Sequence, residues 1–370
     1  MLSISVRRKL NRILASTELY DPLTNSFASG PSMHAGREEH SATMIAAGAS
    51  AGQILIAGGR GSNDFLASTE IYDPLPSRFM DGPKMKTVGI DHTATAIGSP
   101  GANLGKILLA GGYGVTEEVN STELYDPASN TLSPGPSMRD PRTLHTATVI
   151  VSGPNAGKVL LAGGNGSSFA SDKFYSGTLA STELYDPASN TFVSGPSMSV
   201  ARYSATATVI VSGPNAGKIL IAGGFDEGGK PVFSTELYDP STNRFTPGPA
   251  MNVAREGHTT TVITAGPNAE KILIAGGLDT NGQHLASTDL YDPLTNTFAV
   301  GPTMRVARSE HTATAIASGR SAGMILLAGG VGYPGVLASA ELYDPATNKF
   351  ARPPKTPEMA IELLPADAFQ

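Results

Sequence analysis

The chain has no cysteine and no tryptophan, few charged residues, and no long apolar stretch. The absence of cysteine excludes disulfides, thiolate catalysis and metal sites with cysteine ligands. Charged residues make up 16% of the 370 residues and the net charge is -6, which argues against a nucleic-acid backbone as partner. No run approaches the roughly 18 apolar residues that a membrane-spanning helix needs. The sequence therefore predicts no nucleic-acid partner and no membrane span.

The first residues, MLSISVRRKLNRIL, are basic but contain no apolar run of signal-peptide length and no small-residue cleavage site. We therefore expect a soluble protein that stays where it is made, with a cytoplasmic location slightly favoured. The alternative is a start site that has lost its leader.

What the chain does contain is an internal repeat. The string STELYDPASN stands at residues 121–130 and again at 181–190. The Tyr-Asp-Pro triplet recurs at intervals of 52, 53, 60, 53, 53 and 52 residues, beginning at Tyr20, Tyr72, Tyr125, Tyr185, Tyr238, Tyr291 and Tyr343. One insertion, between Gly164 and Tyr185, explains the longer interval. Because the units fill nearly the whole chain, we expect one domain over residues 1–370.

Each unit has the pattern of four short strands. In the last unit they are HTATAIA from His311, MILLAGG from Met324, ASAELYD ending at Asp344, and a brief strand around Phe350. The 42 glycines and 27 prolines suit the tight turns between such strands. Side chains are small on the first strand and large on the third and fourth. This gradient is typical of a blade that is crowded at the hub of a β-propeller and wide at its rim.

These units resemble the kelch family, which has a double glycine ending one strand, a tyrosine on the next and an aromatic on the fourth. The family's tryptophan is missing; in its place stand Phe27, Phe79, Leu132, Phe192, Phe245, Phe298 and Phe350. The resemblance implies an all-β, kelch-type β-propeller. Seven four-stranded blades fit the length, and six blades plus a loose N-terminal hairpin are the alternative.

The ends of the chain predict how a seven-bladed ring closes. Residues 1–6 align with the second strand of a unit, and the segment MAIELLPA from Met359 can supply the missing first strand. The two termini would then share one blade, as in kelch propellers, and no sheet edge would stay open.

Two motifs with catalytic associations are better explained by structure. Gly-x-Ser-x-Gly occurs at residues 48–52 and 319–323, but between the first and second strands, where we expect a hairpin turn and not a hydrolase elbow. A histidine opens the first strand in five units, and Ala205 replaces it in the fourth. We expect these histidines to serve packing or a local hydrogen bond. They are His40, His92, His145, His258 and His311.

An arginine and an acid also recur once per unit. The arginines are Arg37, Arg142, Arg202, Arg255 and Arg308, with Gly89 in the second unit. The acids precede the repeated tyrosine and are Glu18, Glu70, Glu123, Glu183, Glu236, Asp289 and Glu341. One interpretation is an ion pair within each blade. The other, which the kelch resemblance supports, is a ring of arginines that binds carboxylates or acidic peptides at one mouth of the channel.

The loops after each double glycine vary most, and variable loops on a repeated scaffold usually carry binding specificity. Their aromatic residues are candidate contacts: Tyr113, Phe225, Tyr333 and, in the insertion, Tyr175. We therefore expect a non-catalytic scaffold, monomeric and without cofactor or metal, that binds a protein, a peptide or an acidic ligand.

The alternative is a propeller enzyme acting on a sugar, such as an isomerase or lyase, with Asp91 and Arg142 beside Glu38 and Glu39 as its candidate residues. A copper radical oxidase like galactose oxidase is excluded, because its tyrosine is cross-linked to cysteine.

Overall fold

The structure, a computed structural model, describes residues 13–87, 89–98, 102–170 and 173–351. Every regular element in these ranges is a β-strand. The first two strands form a terminal hairpin, Glu18–Asp21 (β1) and Ser26–Ser29 (β2). It is followed by six four-stranded antiparallel sheets, which are called blades 1 to 6 in chain order.

The strands of the first three blades follow the order hub to rim. Blade 1 consists of Ser41–Met44 (β3), Ile54–Ala57 (β4), Thr69–Asp73 (β5) and Arg78–Asp81 (β6). Blade 2 consists of Thr93–Ala96 (β7), Ile107–Ala110 (β8), Thr122–Asp126 (β9) and Thr131–Pro134 (β10). Arg142–Thr143 (β11) then precedes blade 3, which consists of Thr146–Val149 (β12), Val159–Ala162 (β13), Thr182–Asp186 (β16) and Thr191–Ser194 (β17). The insertion in blade 3 forms the strands Asn165–Ala170 (β14) and Lys173–Thr178 (β15).

The last three blades are regular. Blade 4 consists of Thr206–Val209 (β18), Ile219–Ala222 (β19), Thr235–Asp239 (β20) and Arg244–Pro247 (β21). Blade 5 consists of Thr259–Val262 (β22), Ile272–Ala275 (β23), Thr288–Asp292 (β24) and Thr297–Val300 (β25). Blade 6 consists of Thr312–Ala315 (β26), Ile325–Ala328 (β27), Ala340–Asp344 (β28) and Lys349–Ala351 (β29).

The first strands of the blades lie around the hub, as their small side chains predict. Consecutive first strands contact each other, in the order β3, β7, β12, β18, β22 and β26. The second strands are buried along almost their whole length, whereas the fourth strands are largely exposed at the rim. The predicted all-β, kelch-type propeller is therefore confirmed.

The hydrophobic core lies between blades and not within one. The core between blades 1 and 2 joins Leu55 and Ile71 of one sheet to Ile107 and Tyr125 of the next, with Met85 packed between them. At the rim, the repeated tyrosine packs against the phenylalanine of the fourth strand, and the ring centroids of Tyr185 and Phe192 lie 5.1 Å apart. These phenylalanines thus provide the rim packing in the absence of tryptophan.

The terminal hairpin lies between blade 6 and blade 1. Tyr20 packs with Leu326 of blade 6, and Leu19 packs with Tyr72 of blade 1. The two other strands predicted for this unit, in residues 1–6 and from Met359 onward, lie outside the described residues. The count of seven blades and the closure of the ring stay predictions.

The two ends of the propeller carry different connections. At one end, here called the loop face, the segments entering the first strands pair with the loops after the double glycines, as in the bridge between Tyr203 and Phe225. At the other end, the turn face, the loop between first and second strands contacts the Tyr-Asp-Pro turn of the next blade, as where Asn155 donates to Asn243. Both Gly-x-Ser-x-Gly motifs are hairpin turns on the turn face, and the Ser321 hydroxyl accepts from Tyr20 at 3.0 Å.

Candidate functional site

Five of the six blades contain a buried ion pair between the repeated arginine and the repeated acid. In blade 1, Nη1 of Arg37 donates to the carbonyls of Gly58 and Ser68, and Nη2 donates to the Ser68 hydroxyl and to Glu70 at 2.7 Å. The same arrangement recurs in the pairs Arg142–Glu183, Arg202–Glu236, Arg255–Asp289 and Arg308–Glu341.

These guanidinium groups are inaccessible from the loop face. The five arginine side chains are at most 1% exposed. Burial lowers the pKa of Arg202, Arg255 and Arg308, and the paired carboxylate opposes that effect. Of the two roles that the sequence left open, the contacts are those of the ion pair within each blade. The arginines fasten the entering loop to the third strand and put no positive charge at the channel mouth.

The histidines form a second repeated link, this time between blades. In four of the five histidines, Nε2 lies 2.8 to 3.0 Å from a serine or threonine hydroxyl on the first strand of the preceding blade. The pairs are Ser41–His92, Thr93–His145, Thr206–His258 and Thr259–His311. The expected local hydrogen bond is therefore confirmed. Burial lowers the pKa of His258 and His311 to about 3 and that of His92 to about 4, so these rings are neutral at pH 7.

The mouth of the channel on the loop face is lined by a ring of backbone hydrogen bonds. One residue per blade, just before the first strand, adopts the left-handed conformation with φ between 52° and 56°. Four amide groups of this ring donate to the carbonyl of the preceding blade's residue at 2.7 to 3.4 Å. We call these residues the mouth ring: Glu39, Asp91, Leu144, Ser204, Gly257 and Glu310.

The charges at the mouth ring are mainly negative. Burial and the carboxylates of Glu39 and Glu310 raise the pKa of Asp91 to about 6. Burial and Glu310 raise the pKa of the neighbouring Glu256 to about 7. Arg60 is the cation beside them and lies 2.9 Å from Glu39 and 3.1 Å from Glu38. The mouth therefore carries crowded carboxylates, the opposite of the cationic ring considered from the sequence.

The aromatic candidates occupy different environments on the loop face. Tyr333 is 93% exposed. Phe225 is half-buried and stacks at 5.0 Å on Tyr203, and Tyr113 contacts Phe65 edge-on at 6.4 Å. Tyr175 lies on β15, and its side chain is outside what the structure describes.

The insertion forms a hairpin that enlarges the loop face at blade 3. Strands β14 and β15 pair over six residues, and β11 pairs with the start of β14 through Arg142 and Thr143. We call β14 and β15 the insertion hairpin. The entering segment of blade 3 pairs with the base of this hairpin. The hairpin therefore projects from a defined place on the loop face.

In the part of the chain that is described, no group of three or more histidine, aspartate or glutamate side chains has the arrangement of a metal site. Among the same residues, no helix is long and apolar enough to span a membrane.

Sequence reasoning missed the mouth ring, because its six positions share no residue type. The available signal was positional: each of them directly precedes the histidine, or its Ala205 replacement, at the start of a first strand. What they share is the left-handed backbone, which the residue types alone do not reveal.

Comparison with known proteins agrees with the fold. A family model for the Kelch motif matches residues 42–86, 215–252 and 265–305. No curated protein matches the chain. A solved structure described as "Structure of YjhT" is similar, with a TM-score of 0.60 and 12% identity, over 85% of this chain and 97% of that one. At this identity the likeness concerns the fold alone. The chain thus has the fold of a kelch-type β-propeller, and the Kelch motif matches lie in blades 1, 4 and 5.

Proposed function

We propose that this protein is a non-catalytic binding scaffold, and that its loop face takes a cationic segment of a partner protein or peptide. The observation that carries the proposal is the crowding of Glu39, Asp91, Glu256 and Glu310 around one mouth of the channel. A positive side chain placed there would offset the burial and the carboxylate repulsion that raise the pKa of Asp91 and Glu256.

The charge of the partner differs from the sequence-based expectation of an acidic ligand. That expectation depended on exposed arginines, and the five guanidinium groups are buried in ion pairs. The loop face nevertheless keeps the other features expected of a binding surface. The insertion hairpin extends it, and Tyr333 provides an exposed aromatic ring.

A peptide-binding experiment tests the charge preference. Fluorescence anisotropy would compare a lysine- and arginine-rich peptide with a glutamate-rich peptide of equal length at low and moderate salt. We expect the basic peptide to bind, and its affinity to fall as salt rises. Binding of the glutamate-rich peptide alone would contradict the proposal.

A matched pair of variants places the binding on the loop face. Glu310→Gln removes one exposed charge from the mouth ring, and Glu270→Gln removes one exposed charge from the turn face. We expect Glu310→Gln to lower the affinity for the basic peptide several-fold, and Glu270→Gln to bind it as tightly as the unchanged protein does. An equal loss in both variants would mean that only net charge matters.

The insertion hairpin is tested by shortening residues 165–180 to the loop length of the other blades. If the hairpin contributes to recognition, the shortened protein loses partners in a pull-down that the intact protein retains. If the shortened and the intact protein retain the same partners, the hairpin does not contribute to recognition, and the role proposed for the mouth ring is unaffected.

One observation favours the enzyme alternative. Carboxyl groups with pKa values of about 6 and 7, such as Asp91 and Glu256, can act as general acids near neutral pH. A thermal-shift panel of acidic sugars and carboxylates separates the two functions, because a saturable rise in Tm with one small molecule would favour an enzyme.

A further inference from the structure

Blade 2 lacks the repeated arginine but keeps the groups that bind it elsewhere. Gly89 stands in the position that Arg142 occupies in blade 3. In blade 3, the guanidinium group donates to the Gly163 carbonyl at 2.8 Å, the Ser181 carbonyl at 3.2 Å and Glu183 at 3.0 Å. The corresponding acceptors in blade 2 are Gly111, Ser121 and Glu123.

The place of the missing side chain is a cavity. It has about 20 Å³ of open space, and its lining includes Gly89, Gly111, Ser121 and Glu123. It is bounded on the apolar side by Met85 and Leu109. The three acceptor residues of the other blades thus line one space in blade 2.

The carboxylate in this cavity has no cationic partner among the described residues. Glu123 is 6% exposed. The amide groups of Lys86 and Thr87 both donate to its Oε1 atom, at 2.9 and 3.2 Å, whereas no described residue donates to Oε2. A buried carboxylate without a counter-charge is costly, and a bound cation would remove that cost.

The backbone around the cavity keeps one hydrogen bond between blades that the other blades also have. The amide of Gly59 donates to the Gly89 carbonyl at 3.1 Å, and the amide of Gly112 donates to the Arg142 carbonyl at 2.8 Å in the equivalent contact. The His92 ring also keeps its hydrogen bond to Ser41. Loss of the arginine side chain therefore leaves a cage of the same acceptor residues, in which both amide groups donate to one oxygen of Glu123.

We propose that blade 2 is a binding site for a small guanidinium compound. A guanidinium ion is planar and presents a fork of N–H donors, which suits two carbonyls, a hydroxyl and a carboxylate better than a spherical cation does. The guest would occupy the place of the guanidinium groups of the other blades and donate to Oε2 of Glu123. This site is independent of the peptide binding proposed for the loop face.

The rim of the cavity restricts the ligand to a small one. The hydroxyls of Thr87 and Ser121 lie 3.0 Å apart and are hydrogen-bonded to each other. Both residues are partly exposed, so the entry is beside them. A compound the size of guanidinium or methylguanidinium passes with a rotation of these hydroxyls, whereas a longer substituent meets the rim.

Thermal unfolding with guanidinium chloride at low millimolar concentration tests the proposal. Sodium chloride and ammonium chloride at the same ionic strength are the controls. We expect guanidinium to raise the Tm of the intact protein saturably by about 1–2 °C, because a ligand that binds only the folded state stabilises it. An equal response to all three salts, or no response, would overturn the proposal.

Two variants link the effect to blade 2. In Gly89→Arg the new side chain fills the cage, so the Tm rises without ligand and the response to guanidinium disappears. Its Cβ lies 3.0 Å from the Tyr113 carbonyl, which must shift by a few tenths of an ångström. Glu123→Gln also loses the response, because it removes the counter-charge. If both variants respond as the intact protein does, the site is elsewhere.

An engineered site and a larger ligand complete the test. Arg202→Gly creates the same cage in blade 4, and we expect guanidinium to raise its Tm more than that of the intact protein; an equal rise would contradict the proposal. An arginine-containing tripeptide should give no response. A response equal to that of guanidinium would overturn the restriction to small compounds.

Discussion

The side-chain amide of Asn252 donates to Oδ1 of Asp289, whose other oxygen lies 2.8 Å from Arg255. Asp289 is the only aspartate among the repeated acids, and it is one methylene shorter than the glutamates. In blade 4 the corresponding Glu236 reaches the backbone amide of Ser199 at 2.7 Å. Asn252 stands in the position of Ser199, so its side chain spans the distance that the shorter acid leaves.

Asn252→Ser should therefore destabilise the protein by about 1–3 kcal/mol, because Asp289 loses a hydrogen bond in a buried site. Adding Asp289→Glu should restore much of this loss, since blade 5 would then have the serine and glutamate of blade 4. Urea unfolding of the two single variants and the double variant measures the coupling between the residues. Additive effects would show that the asparagine does not compensate for the shorter acid.

Breaking a buried ion pair should cost much more than breaking an exposed one. Glu236→Gln leaves Arg202 buried without a counter-charge, and we expect a loss of about 3 kcal/mol or more in the free energy of unfolding. Asp239→Asn, which ends the 3.5 Å contact to the partly exposed Lys218 on the same blade, should cost less than about 1 kcal/mol. Similar losses in the two variants would argue against the ion pairs as the fastening of the entering loops.

The missing histidine of blade 4 predicts a stabilising substitution. Thr146 has no partner in blade 4, where Ala205 stands, and its hydroxyl donates instead to the Ala162 carbonyl at 3.4 Å. Ala205→His should add the inter-blade hydrogen bond and stabilise the protein by about 1 kcal/mol. The matched change, Thr146→Val in the variant, should remove that gain. A gain that survives Thr146→Val would come from packing alone.

The buried histidines predict a loss of stability in mild acid. Their folded-state pKa values lie below the ordinary value of 6.5, at about 3 for His258 and His311. The unfolded chain therefore binds more protons between these values. The stability that the neutral histidines contribute is fully present above pH 6.5 and is lost as the pH falls toward 3. In urea unfolding from pH 7 to pH 4, His258→Gln should show a shallower decline than the intact protein; an unchanged slope would contradict this.

Glu256 predicts the opposite dependence at higher pH. Its folded-state pKa of about 7 exceeds the ordinary 4.5, so the folded chain binds more protons between these values, and stability falls as the pH rises through them. Glu256→Gln should therefore be more stable than the intact protein at pH 8, by roughly 1 kcal/mol, and gain little at pH 4. Thermal unfolding at the two pH values checks this. A gain of equal size at pH 4 would point to a cause other than ionisation.

The amino-acid sequence by itself determined the repeat, the strand order and the taper of each blade. These follow from local patterns: a double glycine permits the left-handed turn after the second strand, and small side chains fit only near the hub. It also showed that an arginine and an acid recur at the same spacing, but it left open whether they pair within one blade or the arginines line the channel mouth. The roles of the serines in Gly-x-Ser-x-Gly and of the histidines followed from their places in the unit.

Only the tertiary structure decided which charges reach the surface. The course of the entering loop over its blade decides whether the Arg142 side chain points into the channel or toward Glu183. In the structure the Arg142 side chain is buried and forms the ion pair with Glu183. The mouth ring arises where Asp91 and Glu310, far apart in the chain, converge near the axis. The cavity of blade 2 likewise exists only because neighbouring backbone holds Gly111, Ser121 and Glu123 in place without the arginine. Such convergence depends on distances between blades, and no local sequence pattern contains them.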